Sequence, residues 1–302
     1  CPSQRGIRST NNNMHADEGE PLSTSNIARL YHATLDHSAQ KGTQSHFRYY
    51  CPGVGTVFPD IEEHEPRQLG LIGAAGGESR INWGLIQIID ALRQVLSGSK
   101  VAVPEVRRLV SEMSTALLTP ELISNGKRNR EQALRPLIDQ LEATLQARKE
   151  QQKKPEILSL RLYVYGFSRG AAEARTFCNW LLELVRRPGA SGEQEYRFAG
   201  LPISIEFLGI FDTVAAVGLA DSFPFAAGHM SWADGTMRLP DEDTRLPEDQ
   251  RFLNRCVHLV SAHEQRASFP LDSIRRRPRG EDGEPDKSQP SCYRANSVEY
   301  VY

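Results

Sequence analysis

Apolar residues recur along this chain in two rhythms. In "INWGLIQIIDALRQVL" (81–96) they return every three or four positions, which predicts an amphipathic helix. "REQALRPLIDQLEATLQARKEQQ" (130–152) repeats the pattern with a charged outer face. Other runs are short and rich in β-branched and aromatic residues. "EILSLRLYVYGF" (156–167) and "ISIEFLGIFDTV" (203–214) are near-continuous, as interior strands of a parallel sheet are. "SVEYVY" (297–302) predicts a final strand, and "SHFRYYCPGVG" (45–55) a strand that ends in a glycine turn. "NRCVHLVSAHEQRASF" (254–269) reads as a further helix. Strands alternating with long helices give the βαβ rhythm of an α/β protein, with a mostly parallel sheet covered by helices on both faces. The expected organisation is one domain over 1–302. Polar loops run over 11–25, 188–195, 223–250 and 278–290, and a lysine-rich linker with Pro155 precedes the first long strand. The third loop carries Met230, Trp232 and several phenylalanines, too apolar for an ordinary solvent loop. An insert or lid over about 222–250 is therefore expected, packed on its own core or facing a substrate or bilayer.

Composition narrows the possibilities. The 302 residues are 39% hydrophobic, with mean hydropathy −0.47, and no stretch approaches the roughly 18 apolar residues of a spanning helix. Net charge is −2. With no basic stripe interleaved with aromatics, a nucleic-acid partner is not expected. The cluster Arg275 to Arg277 reads as a solvated loop or an anion contact. Five cysteines, an odd number without a CxxC pair, read as reduced thiols of a protein made in the cytosol. The opening "CPSQRGIRSTNNN" lacks the apolar core of a signal peptide, so export would need another route.

The chemistry starts at Gly166-Phe-Ser168-Arg-Gly170, set between the best strand and an uninterrupted amphipathic stretch. A strand that turns this sharply into a helix strains the residue at its apex and leaves no room for side chains on either side, hence the flanking glycines. Such a turn lifts a serine hydroxyl above the sheet edge, beside helix N–H groups that face a forming oxyanion. Ser168 is thus the candidate nucleophile and the N–H of Arg169 the first oxyanion donor; a glycine-lined packing turn with an incidental serine is the alternative. A serine needs a base, and the base an acid. Asp212 ends an apolar strand, so its carboxylate should emerge at the edge where Ser168 does, unless it caps a following helix. His258 and His263 are in-chain candidates for the base, five residues apart and so on different faces of the expected helix; His229, in the apolar loop, is weaker. In this fold logic the base belongs on the loop after the last strand, beyond Tyr302, and the C-terminal end is read as incomplete. "GAAGGES" (73–79) lacks the lysine of a phosphate-binding loop and reads as a loop into the next helix. Neither a metal nor an organic cofactor is required.

Seven ordered blocks, "TNNN", "STSNIARLYHA", "YYCPGVGT", "YGFSRGAAEAR", "FLGIFDTVAAVG", "WADGTMRLP" and "HLVSAHEQRASFPLDS", resemble the phospholipase effectors of bacterial type VI secretion, within the wider α/β-hydrolase family defined by GFSRGA. The resemblance runs from about Thr10 to the last residue. It implies an α/β-hydrolase fold and a lipase that attacks membrane glycerophospholipids of rival bacteria with a Ser-Asp-His triad. Ser168 carries over as nucleophile and Asp212 as acid, with the histidine in a glycine-flanked stretch after the final strand. The family opens with a strand ending in Asp-Gly-Thr, where this chain has "GIRSTNNN" with Arg8-Ser9 and no aspartate; the backbone around Asn11 is the implied second oxyanion donor. The implied partners are a phospholipid membrane surface, a tip or spike protein of the secretion apparatus and a cognate immunity protein. The implied site of action is the membrane or periplasm of a target cell, after synthesis in the bacterial cytoplasm. A general carboxylesterase or peptidase on the same scaffold, or a non-catalytic binding scaffold, would share the pattern.

Overall fold

A computed structural model describes residues 14, 25–39, 45–64, 73–115, 122–152, 157–189, 192–214, 238–240, 251–263, 271–278 and 286–302. Among them are helices α1 (Asn26–Ala33), α2 (Gly73–Ser97), α3 (Val103–Met113), α4 (Leu122–Gln152) and α5 (Arg169–Val185). The strands are β1 (Leu160–Phe167), β2 (Arg186–Pro188), β3 (Gln194–Phe198), β4 (Leu201–Phe211), β5 (Cys256–Val260) and β6 (Ser297–Val301). They form one sheet, so the chain is mixed α/β, as its two rhythms predict.

The sheet is built around β4, the long apolar run. Its later part pairs in parallel with β1 on one side and β5 on the other, and β5 pairs in parallel with β6. The start of β4 instead joins β3, and β3 joins β2, both antiparallel. The mostly parallel sheet therefore ends in an antiparallel hairpin, whose turn lies in the polar stretch 188–195. The β1–β4 ladder is not continuous in register. Leu162 faces Ile205 but Tyr163 faces Phe207, so Glu206 is an extra residue on β4, a β-bulge. Its carboxylate accepts from Ser204 Oγ at 2.6 Å and Asn254 Nδ2 at 3.1 Å.

Helix α5 lies directly on β1, β3 and β4; α2 packs on α5, and α3 and α4 pack on α2. Position in this stack explains composition. Leu85, Ile86 and Ile89 of α2 are fully buried, and Ala171, Ala172, Cys178 and Leu181 of α5 likewise, because both helices have neighbours on opposite sides. Helix α4, on the outside, buries only a stripe that includes Leu134, Ile138 and Leu141.

Three local expectations are corrected. Residues 254–269 do not form a helix where described: 256–260 are strand β5, with Cys256, His258 and Val260 buried in strict alternation. The period is two, and the short run between polar residues had mimicked a helical one. Residues 45–55 form no strand. Their backbone is served by side chains instead of a ladder: Arg80 donates to the carbonyls of Pro52 and Gly53 at 2.7 and 3.2 Å. The run 73–79 is the first part of α2 itself, not a loop before it. Of the expected insert over about 222–250 only 238–240 lie within the described residues, where the Arg238 carbonyl accepts from Asn179 at 2.6 Å and Leu239 is buried.

Ile205, fully buried at the centre of β4, should be costly to truncate. Ile205→Ala is expected to lower unfolding free energy by about 2–5 kcal/mol, with an unchanged denaturant slope in a urea titration.

Candidate active site

The last residue of β1, Phe167, sits opposite Phe211, the last residue of β4, in parallel register. The next residues, Ser168 and Asp212, therefore leave the sheet side by side at its C-terminal edge, and 8% of Ser168 is exposed. Both adopt positive φ, +56° at Ser168 and +45° at Asp212, a region that costs a non-glycine residue on the order of 1 kcal/mol or more and persists only when its surroundings hold it. They do. The Ser168 N–H donates to the Phe211 carbonyl at 2.9 Å, and the Val214 N–H donates back to the Ser168 carbonyl at 3.2 Å. The two turns are thus tied to each other on both sides of Asp212.

Helix α5 begins immediately at Arg169. For the turn to be this tight, Gly166 must lie against the first turn of the helix: a Cβ there would come within 2.3 Å of the Gly170 carbonyl oxygen and 2.7 Å of Ala171 Cα. Gly170 differs from the expectation that both glycines make room. A Cβ at Gly170 meets no atom within 4 Å.

The Asp212 carboxylate accepts on both oxygens, from the Ser261 N–H at 2.7 Å on Oδ1 and from the Tyr302 hydroxyl at 3.0 Å on Oδ2. Burial, then the bond to Asp212, raises the Tyr302 phenol above its ordinary pKa, so the phenol is the donor. The carboxylate thus joins the ends of β4, β5 and β6.

His258, expected on a helix face, points inward from the middle of β5 and is fully buried. Its Nδ1 lies 2.8 Å from Glu299 Oε2; its Nε2 lies 3.2 Å from the Thr213 backbone nitrogen and 3.1 Å from Thr213 Oγ1. With both nitrogens engaged, His258 has none left to take a proton from Ser168. His263 is exposed in the turn after β5, at the edge where Ser168 and Asp212 emerge. Asn11, Arg8, Ser9 and His229 lie outside the described residues.

Below the turn is a set of charged side chains that pattern reading does not bring together, because they come from segments far apart in the sequence. Arg169 Nη2 donates to the Val54 carbonyl at 2.8 Å. Arg80, 2% exposed, donates to the carbonyls of Pro52, Gly53, Thr56 and Gly76 and pairs with Glu63 at 2.7 Å. The loop "CPGVGT" is thereby fastened both to α2 and to the residue after Ser168. Glu173, one turn along α5 from Arg169, is buried, and among the described residues its Oε1 has no hydrogen-bond partner. Burial pushes its pKa up to about 8 against the pull of Arg80 and Arg169, with Glu63 adding to the rise, so it is a neutral acid at pH 7. Burial likewise raises the thiols of Cys51, Cys178 and Cys256, which makes them poor nucleophiles. Among the described residues no group of three His, Cys, Asp or Glu side chains could hold a metal ion.

Gly166→Ala should cost more than about 3 kcal/mol, since backbone atoms meet the new methyl group, whereas Gly170→Ala should leave stability within about 1 kcal/mol of the parent; paired thermal melts distinguish them. Glu173 keeps a proton in the folded chain that an unfolded carboxyl releases near pH 4.5. Its contribution is therefore complete below that pH and is lost as pH rises towards about 8. Glu173→Gln should melt increasingly above the parent as pH is raised from 5 to 9.

No curated protein matches the chain. A solved structure does: an uncharacterized protein from Pseudomonas aeruginosa, 56% identical, superimposes with a TM-score of 0.85 over 97% of this chain and 39% of that one, so this chain spans well under half its length. Residues 185–292 match the family described as "T6SS, Phospholipase effector Tle1-like, catalytic domain", the family of type VI secretion phospholipase effectors that the ordered sequence blocks resemble.

Proposed function

We propose that the chain is the catalytic part of a serine phospholipase with an α/β-hydrolase fold, which cleaves acyl esters of membrane glycerophospholipids as an antibacterial effector of type VI secretion. The observation that carries this reading is the doubly hydrogen-bonded pairing of the Ser168 and Asp212 turns at one sheet edge. The family match over 185–292 supports the substrate class. No helix among the described residues is long and apolar enough to cross a membrane, which suits an enzyme that meets lipid from the aqueous side.

In this mechanism Ser168 Oγ attacks the ester carbonyl, and the oxyanion is held by the N–H of Arg169 at the start of α5, with a second donor from the backbone around Asn11. A histidine takes the serine proton and passes it to the departing lysolipid oxygen; water then attacks the acyl-enzyme by the same route. Asp212 orients that histidine and stabilises its charged form. We assign the histidine to the loop that follows β6, where the family resemblance puts it. Tyr302, which follows β6, already donates to Asp212, so a chain leaving that strand starts beside the acid. Delivery would bring in a tip or spike protein, and protection of the producing cell an immunity protein.

Purified intact protein should hydrolyse phosphatidylglycerol and phosphatidylethanolamine vesicles, with rates that rise above those on soluble short-chain esters once lipid is presented as a surface. Ser168→Ala should lower kcat by about 10³-fold or more at unchanged Tm, and Asp212→Asn by a comparable factor. Equal activity of Ser168→Ala and parent on vesicles would remove the serine mechanism. Equal efficiency on soluble esters and vesicles would favour a general carboxylesterase.

A further inference from the structure

We propose that His258 is a positioning residue: the lone pair on its Nε2 holds the backbone turn that carries Asp212. This role rests on the reading of Asp212 as the acid of a serine triad.

At Asp212 the chain bends out of the sheet, with φ +45°. The ladder of β4 has just ended, so the next backbone donor, the Thr213 N–H, has no strand to pair with. Thr213 is fully buried, and a buried N–H left without an acceptor is destabilising. His258 meets it, at 3.2 Å from Nε2. Backbone N–H groups only donate, which fixes the chemistry of the ring: Nε2 is the bare nitrogen, and the proton sits on Nδ1, facing Glu299 Oε2 at 2.8 Å. The tautomer thus follows from the partners.

The Thr213 carbonyl is held as well, by the Asp272 N–H at 2.8 Å, and the following residue, Val214, donates to the Ser168 carbonyl. A displaced Thr213 would therefore shift Asp212 on one side and the Ser168 turn on the other. Glu299 keeps the imidazole aimed. It also accepts from Ser273 Oγ at 3.0 Å, the Ile274 N–H at 3.3 Å and the Tyr293 hydroxyl at 3.3 Å. Burial opposes charge on Glu299, but the bonds from Ser273, His258 and Ile274 outweigh it and hold the carboxyl below its ordinary pKa.

The same lone pair makes the contact sensitive to protons. The groups facing His258 are Glu299 from β6, Asp212 from the end of β4 and Arg175 from α5, itself paired with Asp272 and near Arg276 in segment 271–278; Cys256 lies on its own strand. Burial, with Arg175, lowers the pKa of His258 and outweighs the two carboxylates. The ring is therefore neutral and the turn held at neutral pH. As pH falls below the ordinary histidine value the unfolded chain takes the proton first, so stability declines through that window. Once the folded ring is protonated, Nε2–H faces the Thr213 N–H and the contact is lost.

Two isosteric variants separate the halves of the ring. His258→Asn keeps a donor towards Glu299 and removes the acceptor for Thr213, whereas His258→Gln keeps an acceptor near the Nε2 position and removes the donor. In the intact protein, the rate at which a fluorophosphonate labels Ser168 and kcat on a soluble ester should fall about 10²-fold in His258→Asn at unchanged KM. They should stay within about tenfold of the parent in His258→Gln. Nitrogen-15 spectra of the parent should show His258 with Nδ1 protonated and Nε2 bare at neutral pH, a measurement that stands even if a variant fails to fold. Parent rates in His258→Asn, equal losses in both variants that track their loss of Tm, or a proton on Nε2 at neutral pH would each overturn the inference while leaving the serine mechanism intact. A parent protein unlabelled at Ser168 would instead overturn the reading of the site.

Discussion

The site depends on two backbone hydrogen bonds, from Ser168 N–H to the Phe211 carbonyl and from Val214 N–H to the Ser168 carbonyl. They unite two turns that are each unfavourable alone, since Ser168 and Asp212 both occupy positive φ. Neither turn would persist as an isolated segment. Next to each other in a parallel ladder, each supplies the partner that the other lacks when it leaves the sheet. The reactive hydroxyl and the carboxylate are thereby fixed by main-chain geometry before any side-chain contact is counted.

Around this joint the polar groups close a circuit. Arg175 of α5 donates to the carbonyl and carboxylate of Asp272; the Asp272 N–H holds Thr213; Thr213 donates to His258; His258 donates to Glu299; and Glu299 accepts from Ser273, next to Asp272. Arg175, Thr213 and His258 are all fully buried. Buried polar networks of this kind are costly when one member goes missing and rigid when complete. This one links the helix that starts at the serine to four other parts of the chain without passing through the serine itself.

Much of this was legible in the sequence because burial dictates pattern. Strands β1 and β4 announce themselves as apolar runs, and the serine turn as a glycine-flanked break between strand and helix; α2 and α4 follow from spacing. The failures have physical causes. Strand β5 contains a histidine at an inward position, and a polar residue there breaks the apolar alternation that marks a strand. Its burial is tolerated only because Glu299 and Thr213 satisfy the ring, partners 41 and 45 residues away that no local window includes. Residues 45–55 have strand-like composition, yet Arg80 and Arg169 take up their carbonyls, and the sequence does not say which polar groups will replace a ladder. The second glycine of the motif reads as a steric necessity, but only the first has backbone against it.

The bulge at Glu206 sets the phase of the site from afar. Before it, β1 and β4 run at an offset of 43 residues, since Leu162 faces Ile205; after it the offset is 44, since Tyr163 faces Phe207. At the first offset Ser168 would stand opposite Phe211, and Asp212 opposite Arg169. The extra residue, six positions or roughly 20 Å upstream of Asp212 along the strand, acts as a one-notch advance that brings carboxylate and hydroxyl level. Paired without the bulge, the same sequence would keep every active-site residue and still put the two out of step.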